Sequence, residues 1–227
     1  MSTKPANLAA LFAAARAHFW LKTVGITAFI WIFFLGYFYV LRHPEAQVAL
    51  MPLTALDRLV GVHPLALPVY LSLWVYVSLP PGLMLEVRDL ARYGLWAAGW
   101  CVLGLGIFYF WPTAVPPSHI DWSQYPGMGF LKGVDGAGNA CPSLHVTAAV
   151  FSAVWLHRQL RAFGLGRGAQ AVNIVWCLAI LYSTMATRQH VALDVAAGTV
   201  LGAGFAWASF AWGGRTRAVV ARNGQSA

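Results

Sequence analysis

Residues 23–41 read TVGITAFIWIFFLGYFYVL, an uncharged run bounded by Lys22 and Arg42. A run of about 20 apolar residues is what a helix needs to cross the hydrocarbon core of a bilayer. The run is long for the apolar part of a signal peptide and no small-residue cleavage site follows it, so it predicts an uncleaved transmembrane helix. Ahead of it, residues 5–20 are alanine-rich and carry Leu8, Leu11, Phe12, Phe19 and Trp20, a pattern that predicts a helix lying in the membrane interface.

Working outward, division of the chain at its charges and prolines gives five further apolar stretches: Pro64–Leu79, Tyr93–Trp111, Ser143–Leu156, Ala169–Thr187 and Val191–Trp212. The second and fourth spans in chain order are short, one limited by Pro64, Pro68 and the Pro80-Pro81 pair, the other by Arg158. The 227-residue chain is 59% hydrophobic and 10% charged, with eleven tryptophans and a mean hydropathy of +0.62. A soluble domain carries roughly 25% charge. The predicted fold is therefore all-α and polytopic: six transmembrane helices over residues 23–213, between cytoplasmic tails at 1–22 and 214–227.

Orientation follows from the basic residues. The loops on the side of the two termini hold eleven of them, among them Arg16, Lys22, Arg88, Arg158 and Arg217; the opposite loops hold Arg42, Arg58, Lys132 and Arg188. Both termini are predicted to be cytoplasmic. The net charge of +8 is dispersed over loops, which suits topology and attraction to anionic lipid rather than nucleic-acid binding. Cys101 and Cys177 fall inside spans and Cys141 in a loop, so no disulfide framework is implied. Gly198 and Gly202 form a small-xxx-small element, either a close helix contact or ordinary glycine usage in a membrane helix.

Against this background two segments stand out, Cys141-Pro142-Ser143-Leu144-His145 and Thr187-Arg188-Gln189-His190-Val191-Ala192-Leu193-Asp194. Ionisable groups within membrane spans are costly and therefore candidates for function. His190 and Asp194, four apart, are neighbours on a helix. A carboxylate bonded to one imidazole nitrogen leaves the other as a nucleophile or base, although a structural ion pair is the commoner use of such spacing. Arg188 suits two-point binding of a phosphate, or else snorkels to headgroups. Pro142 is a favoured first-turn residue, Ser143 offers a hydroxyl at a helix start, where free N–H groups attract anions, and His145 suits a general acid. Each residue alone is weak; together they make a set for phosphoryl transfer. No Asp/Glu cluster suited to Mg²⁺ and no zinc spacing accompanies them, so the expected reaction uses no metal or other cofactor.

These residues resemble the type 2 phosphatidic acid phosphatase (PAP2) superfamily of six-helix membrane lipid phosphatases and phosphotransferases. Its pattern joins a basic KxxxxxxRP segment, a PSGH segment and SRxxxxxHxxxD. Pro142 to His145 read PSLH, Ser183 matches the start of the third segment, and His190 and Asp194 its end. PSLH, Thr187 to His190 and Ala196 to Gly198 resemble the branch containing inositol phosphorylceramide synthases and many bacterial phosphatases, as do Pro112-Thr113, Val115-Pro116, Asp135 and Asn139. The resemblance implies a PAP2-like bundle with His190 as nucleophile, Asp194 as its orienting partner, His145 as general acid and Ser143 as a phosphate ligand.

Two departures bear on phosphate binding. The family arginine falls on Thr184, with Arg188 one helical turn later on the same face as a replacement. The basic first segment is missing, since Val115-Pro116-Pro117-Ser118 carries no charge, and Lys132 is the basic residue within the Pro112–Ala140 connection, either a phosphate ligand or a solvated loop lysine. The resemblance implies a metal-independent phosphatase acting on a membrane lipid phosphate or pyrophosphate through a phosphohistidine. Its expected place is the inner (plasma) membrane of a bacterium, with the site on the outer face. A phosphotransferase with a hydroxyl acceptor, and a non-catalytic lipid-binding relative, are the alternatives. The expected partners are the substrate and the bilayer; oligomeric state is not legible.

Overall fold

The computed structural model describes residues 8–117, 127 and 138–211. Lys132 and most of the connection that carries it lie outside the described residues, as does Asp135. Helix α1 (Leu8–Arg16) ends just before His18, whose φ of 53° turns the chain into α2 (Phe19–Arg42). This helix starts before the predicted span at Thr23, so Lys22 lies inside it and is buried. The reason is polar: its ammonium donates to Ala14 O at 2.6 Å and Gly82 O at 2.8 Å. Carbonyls in the last turn of a helix lack an intrahelical partner, and Lys22 supplies one.

Beyond α2 come α3 (Ala55–Val60), a 3₁₀ turn at Pro64–Ala66, α4 (Leu67–Leu71), α5 (Leu73–Gly82), α6 (Val87–Phe110), α7 (Leu144–Ala162), α8 (Arg167–Ala186) and α9 (Ala192–Ala211). Strands β1 (Ala49–Leu50) and β2 (Thr113–Ala114), absent from the all-α expectation, pair in parallel, Ala49 opposite Thr113 and Leu50 opposite Ala114. They tie the loop after α2 to the loop after α6.

Five helical segments are long and apolar enough to cross a membrane: α2, Pro64–Gly82, α6, α8 and α9. Their outward faces carry Trp31, Ile32, Leu95, Val102, Val200 and Trp207, each more than two-thirds exposed. Water would penalise so much open apolar surface, and lipid does not. The chain thus fits an integral membrane protein. Six crossings were expected; α7 is the helix that falls outside the five. It is 19 residues long but carries His145, His157, Arg158 and Arg161 and packs among α5, α6, α8 and α9.

Other predicted boundaries also move outward: α6 starts at Val87 instead of Tyr93 and α8 at Arg167 instead of Ala169, and α7 and α5 run past their expected ends. The expected end at Leu156 is overrun because Arg158 lies over the Phe210 ring at 3.8 Å and Gln159 donates to Pro80 O at 2.8 Å. At the Pro80-Pro81 pair, α5 continues to Gly82. Proline removes an N–H, which leaves the carbonyls of Tyr76 and Val77 without helical partners. The Tyr93 hydroxyl faces Val77 O at 3.5 Å.

The closest helix contact is α7 on α9. A Cβ at Gly198 would stand 2.4 Å from Ser143 O, and one at Gly202 would stand 2.6 Å from Thr147 O. Hydrogen at these positions lets the two backbones meet, as small residues do between membrane helices. Thr147 Oγ1 then donates across the contact to Gly198 O at 3.1 Å. Replacing Gly198 or Gly202 with alanine should cost about 1–3 kcal/mol through overpacking. Gly204→Ala on the same helix, where an added Cβ meets nothing within 4 Å, should be neutral or stabilising. Thermal unfolding in detergent checks the contrast.

Candidate active site

Three helix ends meet on one side of the bundle: the end of α8 and the starts of α7 and α9. Helix α8 stops at Ala186, and Arg188 adopts φ 53°, which lets both Gln189 and His190 donate their N–H to Thr184 O at 3.0 and 3.1 Å. The chain then re-enters helix at Ala192. Asp194 reaches back to accept from Val191 N at 2.9 Å, the reciprocal half of a capping box. The same oxygen, Oδ2, lies 3.5 Å from His190 Nδ1. Asp194 is fully buried and His190 nearly so. Helix capping therefore fixes the carboxylate, and the carboxylate faces the imidazole.

Helix α7 is set against this turn. Ser143 is its N-cap, its Oγ accepting from Val146 N at 3.2 Å and its own N–H donating to Asp194 O at 3.1 Å. Pro142 accordingly precedes the cap instead of sitting in the first turn. Before it, Thr113 on β2 accepts from Cys141 N at 2.8 Å and from Ala140 N at 3.1 Å. Asn139, with φ 53°, donates to Tyr37 O at 3.3 Å. Burial, and then the Asp194 carboxylate, push the Cys141 thiol up to about 11, so it stays protonated at neutral pH.

This arrangement brings His145 to His190, with Nδ1 of the former 3.4 Å from Nε2 of the latter. The other nitrogen of His145, Nε2, lies 2.7 Å from the hydroxyl of Tyr70 on α4. Asp194, His190, His145 and Tyr70 thus form one line of polar atoms in an apolar bundle. Two of its links, His190 to His145 and His145 to Tyr70, are at hydrogen-bonding distance, whereas Asp194 faces His190 Nδ1 as an ion-pair contact without a hydrogen bond. Among the described residues no group of three His, Cys, Asp or Glu side chains is placed to hold a metal ion.

Of the residues singled out from the sequence, Ser143, His145, His190 and Asp194 come together. Arg188 stands beyond the end of α8, so it does not share a helix face with Thr184; Thr184 is fully buried and donates to Leu181 O at 2.8 Å. Ser183 likewise turns to its own helix, donating to Ile180 O. Arg188 is half-buried, and its charge acts on Asp57.

Asp57 and Tyr70 carried no sequence signal. Asp57 lies in α3, where Thr54 N and Oγ1 both donate to Oδ2 at 2.7 Å, and Ala192 N donates to Oδ1 at 2.8 Å. It therefore caps α9 from the short helix α3, remote in the chain. Burial alone would raise its carboxyl, but these hydrogen bonds and the Arg188 charge outweigh burial and hold it below the usual carboxylate range.

The sequence pattern of the PAP2 superfamily matches residues 91–218, more than half of the chain and the part that holds His145, His190 and Asp194. The chain belongs to the PAP2 superfamily. Comparison with curated proteins and with solved structures returns no match. Membership in the PAP2 superfamily points to phosphatase or phosphotransferase chemistry. Tyr70 and Asp57 lie before the matched segment, so part of the candidate site is built by residues outside it.

A carboxyl held low in the folded state stabilises above its unfolded value of about 3.9, and that contribution fades as pH falls through the lower folded value. Asp57→Ala should therefore lower thermal stability at neutral pH by about 1–3 kcal/mol. The gap from the parent chain should narrow as pH falls below about 4.

Proposed function

We propose that this PAP2 chain is a metal-independent lipid phosphatase that forms a phosphohistidine on His190, at the outer face of a bacterial inner membrane. The observation that carries the proposal is the Asp194–His190–His145–Tyr70 line, which gives a nucleophile and an acid one common proton path. Asp194 Oδ2, 3.5 Å from Nδ1, favours the tautomer with its proton on that nitrogen and leaves the Nε2 lone pair directed at the site. That lone pair attacks phosphorus; the N–P bond forms as the bond from phosphorus to the lipid oxygen breaks.

The departing oxygen takes its proton from Nδ1 of His145, which starts as imidazolium with Nε2–H donating to the Tyr70 oxygen. His145 is left neutral and can then remove a proton from water, whose oxygen attacks phosphorus and releases His190 and inorganic phosphate. Tyr70 is a positioning residue: it holds the acid in register and keeps the correct nitrogen facing the substrate. The N–H groups at the start of α7 and the Arg188 guanidinium supply positive charge for the phosphate oxygens.

In the same reading α7 completes a six-crossing bundle, its basic residues emerging at the cytoplasmic end beside those of α6 and α8. The excess of Lys and Arg on that side supports cytoplasmic termini and an outward site. The expected outcome is release of inorganic phosphate from a phosphorylated lipid in excess EDTA. Release should drop to background in His190→Ala and fall about tenfold or more in Tyr70→Phe, with an altered pH–rate profile in the latter. A phosphate-release assay on purified protein measures all three.

A further inference from the structure

A cavity of about 570 Å³ runs inside the bundle between α2, α5, α6 and the first turns of α7. One end is at His145, His190 and Asn139; the other is at Lys22 and Pro81. Along α2 it extends from Lys22 to Tyr37, which at about 1.5 Å per residue is about 22 Å. That exceeds the roughly 15 Å of one leaflet, half of a hydrocarbon core about 30 Å thick. Its wall between the ends is apolar, with Phe29, Phe33, Trp74, Val77 and Trp100 among the lining side chains.

We propose that this cavity takes one hydrocarbon chain of the substrate lengthwise, and that Lys22 at its far end sets the longest chain accepted. The proposal rests on the reading above, in which the phosphate reacts at His190. Three observations support it. The cavity is continuous with the two imidazoles, so a chain within it carries its phosphate to them.

A fixed polar group also stands at the far end. Lys22 is 4% exposed, and its ammonium is held by Ala14 O and Gly82 O, which joins α1 and α5 at the cavity floor. A chain that reached it would have to displace two charge-assisted hydrogen bonds, whereas a shorter chain meets only carbon. Finally, the wall has room designed into it by composition: Gly25 and Gly94 both line the cavity, and an added Cβ at either would touch nothing within 4 Å.

The test uses straight-chain alkyl phosphates of increasing length as substrates, and the matching alkyl phosphonates, which are not hydrolysed, as ligands. For the parent chain, affinity for phosphonates and kcat/KM for phosphates should rise with length and then break sharply. Gly94→Trp, which fills the cavity from α6, should move the break to shorter chains and lower the long-to-short ratio of kcat/KM by about tenfold or more. Lys22→Ala should move it to longer chains. A break that stays in place in both variants, or affinity independent of length, overturns the chain site. Length-dependent phosphonate binding with no phosphate release at any length would instead overturn the phosphatase reading and leave the chain site standing.

Discussion

The site depends on how closely α9 can approach α7. With hydrogen in place of side chains at Gly198 and Gly202, the α9 backbone lies against the carbonyls of Ser143 and Thr147. At that distance the Ser143 N–H reaches Asp194 O, so the caps of the two helices share a hydrogen bond. His145 lies in the first turn of α7 and His190 just ahead of α9, so docking the helices also docks the imidazoles. A methyl group in the contact would push apart the bond that registers the two imidazoles, so packing and the candidate site are coupled through one interface.

The surrounding apolar bundle makes each polar group answerable for its partners, since an unpaired one costs far more there than at a wet surface. Lys22 closes open carbonyls of α1 and α5. The Tyr76 hydroxyl donates to Asn173 Oδ1 at 2.6 Å, and the Asn173 amide donates to Ala153 O at 3.0 Å, so α5, α8 and α7 share a polar tie. Asp57 closes the start of α9 from outside the bundle. The same economy leaves the long cavity nearly free of polar atoms and concentrates them at its two ends, where a lipid phosphate and a chain terminus would differ most in their demands.

Membrane character and the two polar segments that come together were legible because both are local. An uncharged run such as residues 23–41 has few alternatives, and the i, i+4 spacing of His190 and Asp194 survives folding because the capping turn preserves it. What was not legible depends on neighbours remote in the chain. Tyr70 sits in a proline-bounded stretch that reads only as apolar, and Asp57 in a short segment, α3, that gives no hint of reaching Ala192. The extension of α7 past Arg158 needed Phe210, and the break of α8 before Arg188 needed the left-handed turn that lets two N–H groups share Thr184 O. Lys22, read as part of a tail, became a floor because α1 folds back beneath it.

In the proposed reaction His190 Nε2 bonds to phosphorus during turnover. Its most direct test is an alkaline quench of the protein turning over a lipid substrate radiolabelled at phosphorus, followed by peptide mapping. The expected result is an acid-labile, alkali-stable label on Nε2 of His190 that is absent from His190→Ala. Label on another residue, or steady phosphate release with no labelled protein at any time, would contradict it.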